Sequence, residues 1–261
     1  MNRLLLLAVL LFPAAAEAQE IVTLATREGV TQSFFIANMG GVKAEAAALL
    51  FIGGGGGIRL RMEDGKPKFC DLNFLPRSRR EFIRNGILPV IMDNPSDQQG
   101  GSGMSDAFRA SAQHAADITA VVAEVKKRYP GLPVFLVGTS RSTISVAHLG
   151  RAMGGEVAGV VLSSSLFRDR RAPILSVFDF SSIKAPLLFV HHREDACEST
   201  PYFEAARLGG SYPLVSVKGG KPPETGSCEP LAAHGYYGKE AETVDAIAGW
   251  MLKKPFPKEI D

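Results

Sequence analysis

The feature that most constrains the fold is an apolar run that ends in a turn of small residues and continues as a helix. Residues 133–139 are rich in β-forming side chains, and residues 142–153 carry apolar side chains at helical spacing. Between them, Gly138-x-Ser140-x-Ser142 predicts a sharp turn with Ser140 at its tip, because so tight a turn needs small flanking residues. The following helix directs its N-terminal N–H groups towards this tip, which suits a developing oxyanion.

This strand, turn and helix resemble the nucleophile elbow of the α/β hydrolases, whose pattern is Gly-x-Ser-x-Gly. The chain departs from that pattern at Ser142, where serine replaces glycine and is small enough to fit. The resemblance implies that Ser140 is a nucleophile and that the backbone N–H of Arg141 donates to an oxyanion. The alternative is a chance match in a chain rich in glycine and serine, and the flanking strand and helix argue against it.

Length and composition are those of one globular domain. The chain has 261 residues, 46% of them hydrophobic and 21% charged, which is enough for one α/β domain with a full core. The net charge of +2 implies neither a nucleic-acid nor an anionic-membrane partner. Strands alternate with helices, which favours a mostly parallel sheet flanked by helices.

Several element bounds follow from these patterns. We expect one helix from about 107 to 129, capped by Ser105, and a last strand over 212–217. Residues 166–184 occupy the position where α/β hydrolases often insert a lid domain, and they are too few to form one. The resemblance therefore implies an α/β-hydrolase fold with no large lid and an open site.

The N-terminus has the pattern of a signal peptide. Arg3 precedes an apolar segment from Leu4 to Phe12, and Ala16-Glu17-Ala18 has the small-x-small form of a cleavage site. The apolar segment is too short to span a bilayer. We predict a signal peptide over residues 1–18, a hydrolase domain over 19–261, and export to the periplasm or the medium. The alternatives are a membrane anchor and a buried strand.

A glycine run follows the apolar stretch 45–52, which is predicted to be a buried strand. Residues 53–57 are all glycine, and in α/β hydrolases the loop after this strand supplies the second oxyanion donor. The resemblance points to the N–H of Gly54 or Gly55, although the histidine that often precedes such glycines is absent. A phosphate-binding loop is excluded because no Gly-Lys-Ser/Thr follows. A flexible loop without function is the remaining alternative.

The resemblance also implies an acid and a base. A strand predicted over 187–192 leads into a turn where α/β hydrolases carry their acid, which points to Asp195, with Glu194 as the alternative. His234 lies in a late loop before the final helix, where the family keeps its general base. The order Ser140, Asp195, His234 is the order of the family. Two exposed acids on a turn and a loop histidine without a role are the alternatives.

No metal site or organic cofactor is implied. His191 and His192 are adjacent in a predicted strand, so their side chains point to opposite faces of the sheet. We therefore interpret both as structural residues or as residues that support the site.

A disulfide follows from the implied fold. The loops that carry the acid and the base must meet; Cys197 lies just after Asp195, and Cys228 lies shortly before His234. An exported protein can form a bond between them, which would leave Cys70 unpaired. The alternative is three unpaired thiols.

The predicted function is a secreted or periplasmic serine hydrolase that cleaves small carboxylic esters through an acyl-enzyme. Alternatives on the same fold are a dienelactone hydrolase, a lipase and a peptidase. The missing lid argues against a lipase activated at interfaces. A non-catalytic binding protein with a hydrolase fold is the alternative from another class.

Overall fold

The structure, a computed structural model, describes residues 19–169 and 172–261. The predicted signal peptide, residues 1–18, lies outside the described residues. The strands are β1 Glu20–Arg27, β2 Val30–Ile36, β3 Ala46–Phe51, β4 Arg61–Glu63, β5 Lys66–Lys68, β6 Ile87–Met92, β7 Val134–Thr139, β8 Gly159–Ser163, β9 Arg168–Asp169, β10 Ala172–Pro173, β11 Leu187–His192, β12 Leu214–Val217 and β13 Glu259–Ile260. The helices are α1 Phe74–Arg77, α2 Arg79–Arg84, α3 Asp106–Arg109, α4 Ala112–Arg128, α5 Ser142–Met153, α6 Tyr202–Leu208 and α7 Glu240–Met251.

The central sheet has nine strands among the described residues, in the order β1-β2-β6-β3-β7-β8-β11-β12-β13. β1 pairs with β2, and β2 with β6, in antiparallel fashion. All the other neighbours in the sheet run parallel. The carboxyl ends of the parallel strands therefore share one edge, where an open α/β sheet places its ligand sites. The prediction of a mostly parallel sheet flanked by helices is confirmed.

Both faces of the sheet are covered, and this explains the continuous apolar runs of the central strands. Leu49 and Leu136 pack with α4 and α5 on one face, while Leu50 and Val137 pack with α7 on the other. Neighbouring residues of a strand point to opposite faces, so each strand contributes to both core layers. This double burial holds the strand ends, and the loops that leave them, in one arrangement.

The prediction of one continuous helix over 107–129 is wrong at one point. The chain forms the short α3, breaks, and restarts as α4 at Ala112. Ser105 does cap α3, since its hydroxyl accepts the N–H of Phe108 at 3.1 Å. A second cap breaks the helix: the Ser111 hydroxyl accepts the N–H of His114 at 3.2 Å, so the backbone at Ser111 is extended.

Two further expectations concern the second half of the chain. The strand predicted over 212–217 is shorter, and it is not the last one, because β13 pairs beside it. Between β8 and β11 the described residues form short turns and the two-residue strands β9 and β10, with no separate lid. Within residues 19–169 and 172–261, none of the helices combines the length and the apolar character needed to cross a bilayer.

Candidate active site

Ser140 stands at the tip of the turn between β7 and α5. Its φ is +57°, in the left-handed region that non-glycine residues rarely adopt. The preceding Gly138 is required by packing, because a Cβ there would lie 2.7 Å from Cγ2 of Val146 on α5. The helix thus packs too closely on the strand end for any larger residue, and the turn raises Ser140 at the carboxyl edge of the sheet.

Ser142 fills the position where the family pattern has glycine. It is fully buried, and its hydroxyl accepts the N–H of Thr139 at 2.9 Å and donates to the carbonyl of Phe51 at 2.6 Å. Phe51 is the last residue of β3, just before the glycine run. Serine in place of glycine therefore adds hydrogen bonds that link the turn carrying Ser140 to the end of β3, from which the glycine run leaves.

The glycine run approaches Ser140 closely. A Cβ on Gly53 would lie 2.8 Å from Cβ of Ser140, so no larger residue fits there. The N–H of Gly56 donates to the carbonyl of Gly53 at 3.1 Å and closes a turn, with a φ of +59° at Gly54. The N–H groups of Gly54 and Gly55 donate to no acceptor among the described residues, so both remain available.

His234 lies in a 3₁₀ turn, Ala233–Gly235, and is 5% exposed. Its Nδ1 lies 3.0 Å from Oδ2 of Asp195, whose side chain is fully buried. Its Nε2 is buried and has no hydrogen-bond partner among the described residues. Because Nδ1 is held by a carboxylate, it carries the proton and Nε2 is left as the acceptor.

Asp195 is fixed by two donors besides the imidazole. Its Oδ1 accepts the N–H of Cys197 at 2.9 Å, and its Oδ2 accepts the hydroxyl of Thr200 at 2.8 Å. The Thr200 hydroxyl also lies 3.2 Å from Nδ1 of His234. The alternative acid, Glu194, instead accepts the N–H of Gly219 at 3.1 Å. Thr200 was missed by sequence reasoning, since no motif marks a buried threonine that reaches back to the acid.

The predicted disulfide is present in the structure. Cys197 and Cys228 are bonded, with Cα atoms 4.7 Å apart, and Cys70 is exposed and unpaired. The bond links the loop of Asp195 to the loop that precedes His234. It therefore fastens together the two loops whose spacing sets the Asp195–His234 contact.

Ser140 and His234 open onto one pocket of about 240 Å³. Gly54 and Cys228 line it as well, together with the carboxylate-bearing Glu229. Gly55 lines a different, larger pocket of about 500 Å³, which contains none of Ser140, Asp195 and His234. The pocket lined by both Ser140 and His234 is thus small, and it lies beside the first two glycines of the run, Gly53 and Gly54.

Arg141 follows Ser140 directly, and its side chain is held by two carboxylates. Its N–H donates to no acceptor among the described residues. The guanidinium donates to Asp106 at 2.7 Å and to Asp169 at 3.0 Å, and its hydrogen bond to the Asp106 carboxylate raises the pKa of Arg141. The two carboxylates hold the side chain, so it does not compete for the pocket.

The adjacent histidines of β11 point to opposite faces, as expected. Nε2 of His191 accepts the N–H of Ser165 at 2.8 Å, and burial lowers the pKa of His191 to about 3. Nε2 of His192 lies 3.0 Å from the carbonyl of Gly219, and burial lowers its pKa as well. Among the described residues, no group of three or more His, Cys, Asp or Glu side chains is placed to hold a metal ion.

Comparison with known proteins supports the assignment of the fold. A family model described as serine aminopeptidase, S33, matches residues 78–191. The structure is similar to an α/β serine hydrolase without lid from Xanthomonas campestris, with 15% identity, a TM-score of 0.57, and 90% of this chain and 97% of that chain covered. The comparison with curated proteins found no match.

Two further solved structures are similar over nearly their whole length. A monoglyceride lipase from Saccharomyces cerevisiae has 12% identity and a TM-score of 0.60, with 93% of this chain and 98% of that chain covered. Est1E from Butyrivibrio proteoclasticus has 12% identity and a TM-score of 0.58, with 89% of this chain and 98% of that chain covered. The chain is therefore an α/β hydrolase by fold.

Proposed function

We propose that the protein is an exported serine hydrolase that cleaves small carboxylic esters through an acyl-enzyme on Ser140. The observation that carries the proposal is the geometry around His234. Its Nδ1 is bound to the buried carboxylate of Asp195, its Nε2 has no hydrogen-bond partner among the described residues, and His234 and Ser140 line the same pocket. A buried imidazole with one nitrogen held by a carboxylate and the other available is what a general base requires.

The proposed reaction uses each group at a stated atom. Nε2 of His234 takes the hydroxyl proton of Ser140 while Oγ attacks the acyl carbon, and Asp195 stabilises the resulting imidazolium. The same proton then passes to the leaving alcohol. Water attacks the acyl-enzyme in the second half, and His234 acts again as base and then as acid. No hydrogen bond joins Ser140 to His234 in the structure, and such bonds often form only in the substrate complex.

The negative oxygen of each tetrahedral intermediate needs two donors. We assign these to the N–H of Arg141 and to one N–H from Gly54 or Gly55. The available N–H groups and the close approach of Gly53 to Ser140 support this assignment. Losing one such donor raises the barrier by about 3–4 kcal/mol in other serine hydrolases.

Export is supported by two observations. The residues before Gln19 have the pattern of a signal peptide, and a disulfide joins Cys197 to Cys228. Structural disulfides form and persist mainly in oxidising compartments. We propose that the mature chain works in the periplasm or the medium.

The proposal is tested by labelling with a fluorophosphonate and by turnover of p-nitrophenyl esters of increasing acyl length. Ser140→Ala should abolish both, and His234→Ala should reduce turnover about as much, because such groups act as a unit. Ser181→Ala and His148→Gln are the matched controls, since both side chains lie outside the pocket. Among the described residues, Ser181 hydrogen-bonds Asp179 and His148 hydrogen-bonds Arg151.

Near-normal turnover in either site variant would contradict the catalytic assignment. A wild-type protein that binds esters and neither turns them over nor becomes labelled would instead indicate a binding protein. Turnover of aminoacyl amides in preference to matched esters would favour a peptidase, the class suggested by the matched family model.

A further inference from the structure

Arg109 is a buried cation that the proposed mechanism does not use. It ends α3 and is 1% exposed. Among the described residues it forms no ion pair, because the nearby carboxylate of Asp106 binds Arg141 instead, at 2.7 Å. Burial lowers the pKa of Arg109 to about 10, so it remains protonated near neutral pH. A buried and unpaired charge is costly, so its presence calls for a compensating role.

The guanidinium makes two contacts. Its Nη2 donates to the carbonyl of Gly54 at 2.8 Å, and its Nη1 donates to the hydroxyl of Ser145 on α5 at 3.3 Å. Its Nε has no hydrogen-bond partner among the described residues. A Cβ on Gly56 would lie 3.0 Å from Nη2, so the glycine run lies directly against the guanidinium. Arg109 thus connects the glycine run to the helix that begins at the Ser140 turn.

The contact with Gly54 determines how one peptide plane of the glycine run is oriented. In a trans peptide the carbonyl and the following N–H point in opposite directions. Because Arg109 holds the carbonyl of Gly54, the N–H of Gly55 is directed away from the guanidinium. The carbonyl of Gly53 is held in turn by the N–H of Gly56 at 3.1 Å, which orients the N–H of Gly54.

Peptide groups between glycines need hydrogen bonds to fix their orientation more than other peptide groups do. Glycine has the widest choice of backbone conformations, so a run of five would otherwise sample many orientations of its N–H groups. An oxyanion donor works only when it is already oriented before the reaction. A charged donor forms a stronger hydrogen bond than a neutral one.

We propose that Arg109 is a positioning residue: it holds the Gly54 carbonyl and thereby orients the N–H of Gly55, one of the two candidate oxyanion donors of the glycine run. This inference rests on the proposed serine-hydrolase function. Arg109 does not touch the substrate; it acts through the backbone of Gly54 and Gly55.

The test compares Arg109→Met and Arg109→Lys with the wild-type protein. Arg109→Met removes the charge and both hydrogen bonds at similar size, and it should lower kcat about 10- to 100-fold with KM changed less than about threefold. Arg109→Lys keeps the charge and one donor and should recover part of kcat. If Arg109→Met does not fold, kcat of Arg109→Lys alone tests the proposal, and it should lie below that of the wild-type protein.

A second readout separates positioning from stability. A trifluoromethyl ketone forms a tetrahedral oxyanion on the serine, so its inhibition constant should rise by the same factor by which kcat falls. Arg27→Met is the matched control, because it removes a guanidinium that pairs with the buried Asp117 at 2.9 Å, outside the pocket. The control should lower the melting temperature and leave kcat and the inhibition constant within about twofold.

The outcomes distinguish this inference from the proposed function. If fluorophosphonate labels wild-type Ser140 and both Arg109 variants keep wild-type kcat and ketone affinity, the role of Arg109 is refuted and the hydrolase stands. The role is equally refuted if kcat falls only in proportion to the folded fraction. If the wild-type protein is neither labelled nor active on any ester, the proposed function fails and the inference fails with it.

Discussion

The disulfide should control stability and turnover together. In the variant Cys197→Ser/Cys228→Ser, the denatured chain regains the freedom of a loop that joins residues 31 positions apart. The chain-entropy model gives about 3–4 kcal/mol for a loop of this length. For a domain of this size, such a loss lowers the melting temperature by roughly 6–16 °C.

The effect on turnover follows from the position of the bond. The N–H of Cys197 donates to Oδ1 of Asp195 at 2.9 Å, and Cys228 lines the pocket that contains Ser140 and His234. Without the bond, the loops that carry the acid and the base are free to separate. We expect kcat to fall about tenfold, because loss of alignment at a reacting centre has effects of this order.

The assay is scanning fluorimetry and ester turnover, each with and without a phosphine reductant. Reductant should reproduce both losses in the wild-type protein and have no effect on the double variant. Cys70→Ser is the control, since Cys70 is exposed and unpaired. A double variant that melts within about 2 °C of the wild type would refute the stabilising role. A lower melting temperature with unchanged kcat would refute the link to Asp195.

Two further predictions concern pH and processing. Burial lowers the pKa of His114 and of His191 to about 3, against an ordinary value of 6.5, so between these values the unfolded chain binds protons that the folded chain does not. The free energy of unfolding should therefore fall on acidification from pH 6.5, by about 1.4 kcal/mol per pH unit for each histidine. Urea midpoints at pH 7 and pH 5 measure this; His191→Gln should remove about half of the difference, and equal midpoints would contradict the reasoning. Mass spectrometry of exported protein should give an N-terminus within a residue or two of Gln19, whereas an intact Met1 would exclude cleavage of a signal peptide.

The elements of the central sheet were largely predictable because their signals are local. The apolar runs that form β6, β7 and β11, and the small residues around Ser140, depend only on neighbours in the chain. The error over 107–129 arose from a competition between two local signals. Apolar spacing favoured one continuous helix, and the cap at Ser111 ended it and started another.

The candidate site was predictable as far as the order of elements allowed. Ser140, Asp195 and His234 follow strands that end at one edge of the sheet, so their chain positions already pointed to a shared site. The same reasoning predicted the bond between Cys197 and Cys228. The catalytic roles of Ser140, Asp195 and His234 stay predictions until the variants are measured.

What only the tertiary structure decided are the contacts between residues distant in the sequence. Thr200 reaches Asp195 and His234, Ser142 reaches the end of β3, and Arg109 reaches the carbonyl of Gly54. In the sequence each is an ordinary polar residue, because its partner is chosen by the packing of layers rather than by spacing. The amino-acid pattern by itself indicated the main strands and helices of the sheet and the edge at which the candidate site lies. Packing determined which buried polar groups meet there, because such groups are stable only where a distant part of the chain supplies a hydrogen-bond partner.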